Sequence, residues 1–134
     1  MKLPEQLQEY IDELHEFNQP EEKYELLIEY GSQLPELDEQ YQQEKNLVPG
    51  CLSIVYIHSE ERDGKVYFQG KADAILVKGL VYILTTGLSG MNKEEFLTLE
   101  PTFLTELGLQ ESLTPSRANA SVNIFKLMKQ QIEQ

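Results

Sequence analysis

Residues 47–69 read LVPGCLSIVYIHSEERDGKVYFQ. Two runs rich in β-branched and aromatic residues flank a polar turn that ends in Asp63-Gly64, a dipeptide favoured in tight hairpins. The pattern predicts one strand over 52–58 and a second from Lys65 to Gln69, the two pairing antiparallel. In the second, Val66 and Phe68 share one face while Lys65, Tyr67 and Gln69 share the other. The start of the stretch holds the only cysteine of the chain, Cys51, directly after Pro49-Gly50. Pro49 fixes its own φ and biases Val48 toward an extended backbone, and Gly50 can take φ values closed to other residues. Such a turn lifts one side chain out of regular structure. On residues alone Cys51 has two readings: a small buried hydrophobe, or a thiol presented at a loop tip.

Upstream, Leu3, Leu7, Tyr10, Ile11, Leu14 and Phe17 recur at three-to-four-residue spacing, which predicts an amphipathic helix with Pro4 in its first turn. Pro20-Glu21-Glu22 opens a second helix with acids where the dipole favours them. Its expected apolar stripe is Tyr24, Leu27, Ile28 and Leu34. Residues 36–46 read as polar and irregular, with a poorly specified third strand near Lys45 to Val48. Downstream, Gly70 is expected to close the hairpin. From about Ala72 the period becomes helical through Ile75, Leu76, Gly79, Leu80, Ile83 and Leu84. This helix is apolar nearly all round and so central, and Gly79 within it implies close packing against another backbone. Asn92 with Glu95 resembles a capping box that starts a short helix, Pro101 opens another that ends at Leu107-Gly108-Leu109, and Thr114-Pro115 starts the last helix. The expected buried stripe of that helix is Ala118, Val122, Phe125, Met128 and Ile132. The sum is an α+β fold, a small antiparallel sheet packed with helices, in a single domain over 1–134.

Composition narrows the function. A net charge of −12 opposes nucleic-acid binding. No apolar run is long enough to span a membrane. Residues 1–45 hold thirteen of the acids against three lysines, which reads either as solvated helix faces or as a surface for a basic partner. The opening Met-Lys-Leu-Pro-Glu-Gln lacks a signal-peptide pattern, and one cysteine cannot form an internal disulfide; both fit a reducing, cytoplasmic setting. With two histidines far apart, His15 and His58, no metal-ligand spacing is present. Both histidines read most simply as solvated. A Cys51–His58 dyad would have to fold back along about 23 Å of extended chain, which disfavours it.

A thiol without its own base suits thiol exchange, where access and thiolate fraction govern rate. Two features could raise that fraction: the N-terminus of the helix starting near Ala72, and Arg117 in the first turn of the last helix. A cation there opposes the dipole, so Arg117 either has a partner or serves docking, or it is an exposed arginine tolerated at slight cost.

Several short pieces run in order along nearly the whole chain. They are Glu21-Glu22-Lys23-Tyr24, Tyr30-Gly31, Leu34-Pro35, Val48-Pro49-Gly50-Cys51 with Ser53 and Val55, and Gly64 through Phe68-Gln69-Gly70. Then follow Asp73-Ala74 with Val77-Lys78-Gly79-Leu80, Leu107-Gly108-Leu109, and Leu113-Thr114-Pro115-Ser116-Arg117 with Asn119. This collinear set resembles the SufE-type sulfur acceptors, the cysteine desulfuration proteins that include the CsdE branch. The resemblance implies an IscU-like fold. It implies that Cys51 accepts persulfide sulfur from a pyridoxal-phosphate cysteine desulfurase of SufS or CsdA type, stimulating it. The sulfur would then pass to an iron–sulfur scaffold complex of SufBCD type. The protein itself would carry no cofactor or metal and would not turn over a substrate alone. Pro49, Gly50, Asp73 and Arg117 would position or dock the loop, although Asp73 also suits a plain helix start. Three positions depart from the family pattern: Leu52 stands where Gln is usual, Tyr56 where Trp is usual, and Ala120 where Gly often follows the Asn.

These residues leave two other classes of function open. One is an adaptor that activates a desulfurase allosterically with Cys51 incidental. The other is a stand-alone cysteine enzyme.

Overall fold

In a computed structural model of the chain, residues 3–51, 53–109 and 115–133 are described, with the side chains of 116–118 outside that set. The hairpin is its geometric reference. Strand β1 (Val55–Arg62) pairs antiparallel with β2 (Lys65–Ala72), in a register running from Val55 opposite Ala72 to Arg62 opposite Lys65. Asp63 and Gly64 alone make the turn, both with positive φ (53° and 77°). That is the handedness a type I′ hairpin needs, and it matches the right-handed strand twist. A two-residue strand β3 (Met91–Asn92) adds to the far side of β2, giving the order β1-β2-β3.

Among the described residues the sheet is joined by five α-helices, α1 (Glu5–His15), α2 (Pro20–Ser32), α3 (Ile75–Leu88), α4 (Lys93–Thr98) and α5 (Pro115–Glu133), and by a 3₁₀ helix over Pro101–Leu107. Val55, Ile57, Val66 and Phe68 are buried on one sheet face, over which α3 and α5 lie; α1 and α2 pack on α3. The result is an α+β architecture with a small antiparallel sheet, as the periodicities predict, although its third strand is not the one expected. The α1 stripe is buried at Leu7, Tyr10, Ile11 and Leu14. Helix α3 is buried nearly all round, and Gly79 performs the expected packing: a Cβ there would run into the Leu27 backbone carbonyl of α2. Asn92 caps α4, its side-chain oxygen accepting from the amides of Glu94 (2.9 Å) and Glu95 (3.2 Å).

The differences from expectation lie at element ends. β1 starts at Val55 rather than residue 52 and continues through Ser59–Arg62, because pairing carries on where burial has ended. β2 runs on to Ala72, so Gly70 is an interior strand residue; a Cβ there would sit 2.6 Å from Val81 Cγ1. Helix α3 accordingly begins at Ile75. The third strand is Met91–Asn92, and Leu47 makes only an isolated bridge with Tyr56. Residues Glu39–Tyr41 and Glu44–Asn46 form 3₁₀ turns within the stretch expected to be irregular. In α2, Leu26, Leu27, Tyr30 and Gly31 face inward while Ile28 is exposed. In α5 the buried set includes Ala120, Ile124, Phe125, Leu127, Met128 and Ile132, with Val122 at its margin. Ala118 lies outside the described side chains.

Candidate functional site around Cys51

Cys51 occupies a loop that the sheet edge closes from both sides. At its neck the Val48 amide donates to the Val55 carbonyl at 2.8 Å, with both side chains buried. The downstream arm is fastened by Asp73, whose amide donates to the Ile54 carbonyl (3.2 Å) while its carboxylate accepts from the Ile54 amide (3.0 Å). Asp73 is therefore a loop staple in addition to standing just before α3. At the tip, Pro49 precedes Gly50, whose φ of 78° lies in the left-handed region that glycine occupies without penalty.

The upstream arm is tied to α5 through a part-buried amide network. Asn46 donates to the Tyr41 carbonyl (2.8 Å) and accepts from Gln131 (3.1 Å). Gln131 also donates to the Ile57 carbonyl (2.8 Å) and accepts from Ser59 Oγ (2.6 Å). Nothing in the local sequence signals these pairings, because the partners come together only when α5 crosses β1.

The Cys51 side chain is half-buried and packs against the hydrophobic core. Burial pushes its thiol above the ordinary value, because the thiolate would lose solvation; a hydrogen bond with Asn123 on α5 acts in the opposite direction. The helix N-terminus expected to favour the thiolate starts three residues later than anticipated, at Ile75, and burial is the larger influence on the sulfur. Asn123 is the site residue that sequence reasoning missed. Arg117 lies in the first turn of α5, and its side chain is outside the described set, as is residue Leu52.

Both histidines are occupied elsewhere. His58 stacks on Tyr41 (ring centroids 3.6 Å apart, planes 13° apart) and pairs with Glu60 at 3.0 Å. His15 Nε2 donates to the Glu106 carbonyl at 2.6 Å, which places the proton on that nitrogen. Neither is simply solvated, and neither is engaged with the sulfur. Among the described residues no cluster of His, Cys, Asp and Glu could hold a metal, and no helix is long and apolar enough to cross a membrane.

Four large apolar side chains of the described residues are exposed, and three of them bracket the loop: Leu47, Ile54 (54% exposed) and Ile75 (61%). Ile54 is bonded to Asp73, two residues from Ile75, and Leu47 bridges to Tyr56 across the neck. Exposed apolar side chains bracketing a half-buried thiol are an arrangement suited to docking.

The family model described as "SufE: Fe-S metabolism associated domain" matches residues 8–132. The chain belongs to the SufE family. It is 45% identical over 127 residues to an uncharacterized SufE-like protein of Synechocystis, covering 95% of this chain and 80% of that one. It is 41% identical over 131 residues to SufE-like protein 1, chloroplastic/mitochondrial, of Arabidopsis thaliana, covering 96% of this chain but 35% of the plant protein. It is 37% identical over 117 residues to the cysteine desulfuration protein SufE of Plasmodium falciparum, covering 84% and 47%. The fold matches a solution structure of a hypothetical protein from Thermus thermophilus with a TM-score of 0.82. That match covers 98% of this chain and 96% of the other at 24% identity. SufE membership thus agrees with the resemblance read from the loop and helix motifs.

Proposed function

We propose that this SufE-family protein is a sulfur acceptor that works through Cys51. In this reading a pyridoxal-phosphate cysteine desulfurase, of SufS or CsdA type, presents a persulfide to the loop. The Cys51 thiol gives its proton to solvent, and the thiolate attacks the outer sulfur of the donor persulfide. A new sulfur–sulfur bond forms on Cys51 while the donor's own sulfur–sulfur bond breaks, and the donor cysteine leaves as thiolate. Clearing the donor stimulates the desulfurase. The loaded sulfur then goes to an iron–sulfur scaffold complex of SufBCD type, and the protein alone turns over nothing.

The observation that carries the reading is the stapled loop holding the half-buried Cys51 sulfur inside an apolar collar. Half-burial shields a persulfide from reductants, and docking on the collar would release the Pro49-Gly50 turn and bring the thiol outward. Proximity then supplies much of the rate. Names among its relatives, such as cysteine desulfuration protein, point the same way. Asp73 serves as positioning residue and Arg117 as a docking cation. A thiol carrier of this kind suits a reducing compartment such as the cytoplasm.

The test is intact mass after incubation with a desulfurase and free cysteine, without reductant. The expected result is a gain of about one sulfur atom that dithiothreitol removes and Cys51→Ser abolishes. Retained binding and stimulation with no mass gain would replace this reading with the adaptor.

A further inference from the structure

Asn123 lies on α5, far along the chain from the loop, yet it meets the loop at two adjacent residues. Its carboxamide nitrogen is 3.1 Å from where a Cβ on Gly50 would stand, and its Cγ is 3.7 Å from that point. It also acts on the neighbouring Cys51, lowering the thiol's pKa against the larger, opposite effect of burial. The absent side chain of Gly50 leaves the carboxamide room that a Cβ would crowd. Of the two ends of that amide, the nitrogen faces the loop, and only a donor can stabilise a thiolate.

We propose that Asn123 is the residue that keeps Cys51 reactive while it is sheltered, its amide N–H donating to Sγ from the space that Gly50 leaves open. Sheltering and reactivity conflict. Burial protects sulfur but disfavours the anion that must attack. A fixed neutral donor offsets part of that cost without bringing a charge into the core, and the contact is left behind on α5 when the loop swings out. The inference deepens the sulfur-acceptor reading and rests on it for its purpose, although the donor–thiolate contact can be tested without a desulfurase.

The experiment is the pH profile of Cys51 alkylation by iodoacetamide, followed by intact mass on the full chain. Wild type is compared with Asn123→Leu, which keeps shape but removes the donor, and Asn123→Asp, which replaces the donor with an anionic acceptor. Thermal melts establish that each variant is folded. The expected result is a midpoint raised by about one pH unit in Asn123→Leu and by more in Asn123→Asp. Well below both midpoints that is about a tenfold smaller thiolate fraction, and a correspondingly slower reaction.

An unchanged or lowered midpoint in folded Asn123→Leu overturns the assignment. Should that variant not fold, the same outcome in Asn123→Asp overturns it. Sulfur uptake by wild type is measured in parallel. Uptake with flat alkylation profiles sinks the Asn123 role alone, whereas shifted profiles without uptake sink the acceptor reading and leave the contact standing.

Discussion

Two glycines show how differently two parts of this molecule are built. At Gly79 a side chain would strike the Leu27 backbone, so α3 and α2 touch main chain to main chain. At Gly50 the nearest obstacle is the tip of one side chain, Asn123, and the glycine is needed mainly for its left-handed φ. The first contact has no soft component and fixes a helix pair. The second is one turn held by a few hydrogen bonds. By this measure the α2–α3 contact is the stiffer of the two and the Cys51 turn the softer.

The sharpest way to break this contrast is to fill each space. Gly79→Val forces α2 from α3 and should cost about 3 kcal/mol or more in urea unfolding, as strong overpacking does. Gly50→Ala meets left-handed strain of only about 1–2 kcal/mol. Equal losses would show that the two regions are not distinct in rigidity.

A second experiment asks whether the loop's surroundings are built for contact rather than for stability. Ile54 and Ile75 are more than half exposed, so the double variant Ile54→Asp, Ile75→Asp should leave the melting temperature nearly unchanged. Losing two apolar contacts worth about 1.5 kcal/mol or more should weaken desulfurase binding by about tenfold or more. Unaltered affinity by calorimetry would remove the collar from the interface.

The smallest effect is in pH. Burial raises the folded thiol above its unfolded value, so as pH climbs past about 8.5 the unfolded chain loses its proton first. The native state then binds more protons than the unfolded one, and stability falls as pH rises. The contribution of Cys51 is whole below the unfolded value and gone above the folded one. Across that window wild type should lose stability relative to Cys51→Ala in melts recorded pairwise at each pH. A constant difference would mean that the sulfur is as well solvated as in the unfolded chain.

How legible the molecule is in its sequence depends on what kind of interaction sets each feature. The hairpin turn, the α1 stripe, the all-apolar α3 and the Asn92 cap are local, and they follow from residue spacing. Gly70 and the extension of β2 to Ala72 do not, because its register with β1 rather than its composition keeps that strand going. Spacing alone places Ile28 inside, yet α2 is rotated so that Tyr30 and Gly31 meet α3 instead. β3 is too short for any period to show. At the site, the Pro49-Gly50-Cys51 turn is readable, whereas Asp73 as a staple, the Gln131 network and Asn123 depend on α3 and α5 arriving from elsewhere.

The fastenings at Val48 and Ile54 have a consequence of length. With both held, the Cys51 α-carbon is three residues from either anchor and can stand no more than about 11 Å from each, however the turn unfolds. The loop is a short tether, not a probe. On the sulfur-acceptor reading, a donor persulfide at the bottom of a deep channel would be out of range and would have to travel most of the way to this protein's surface.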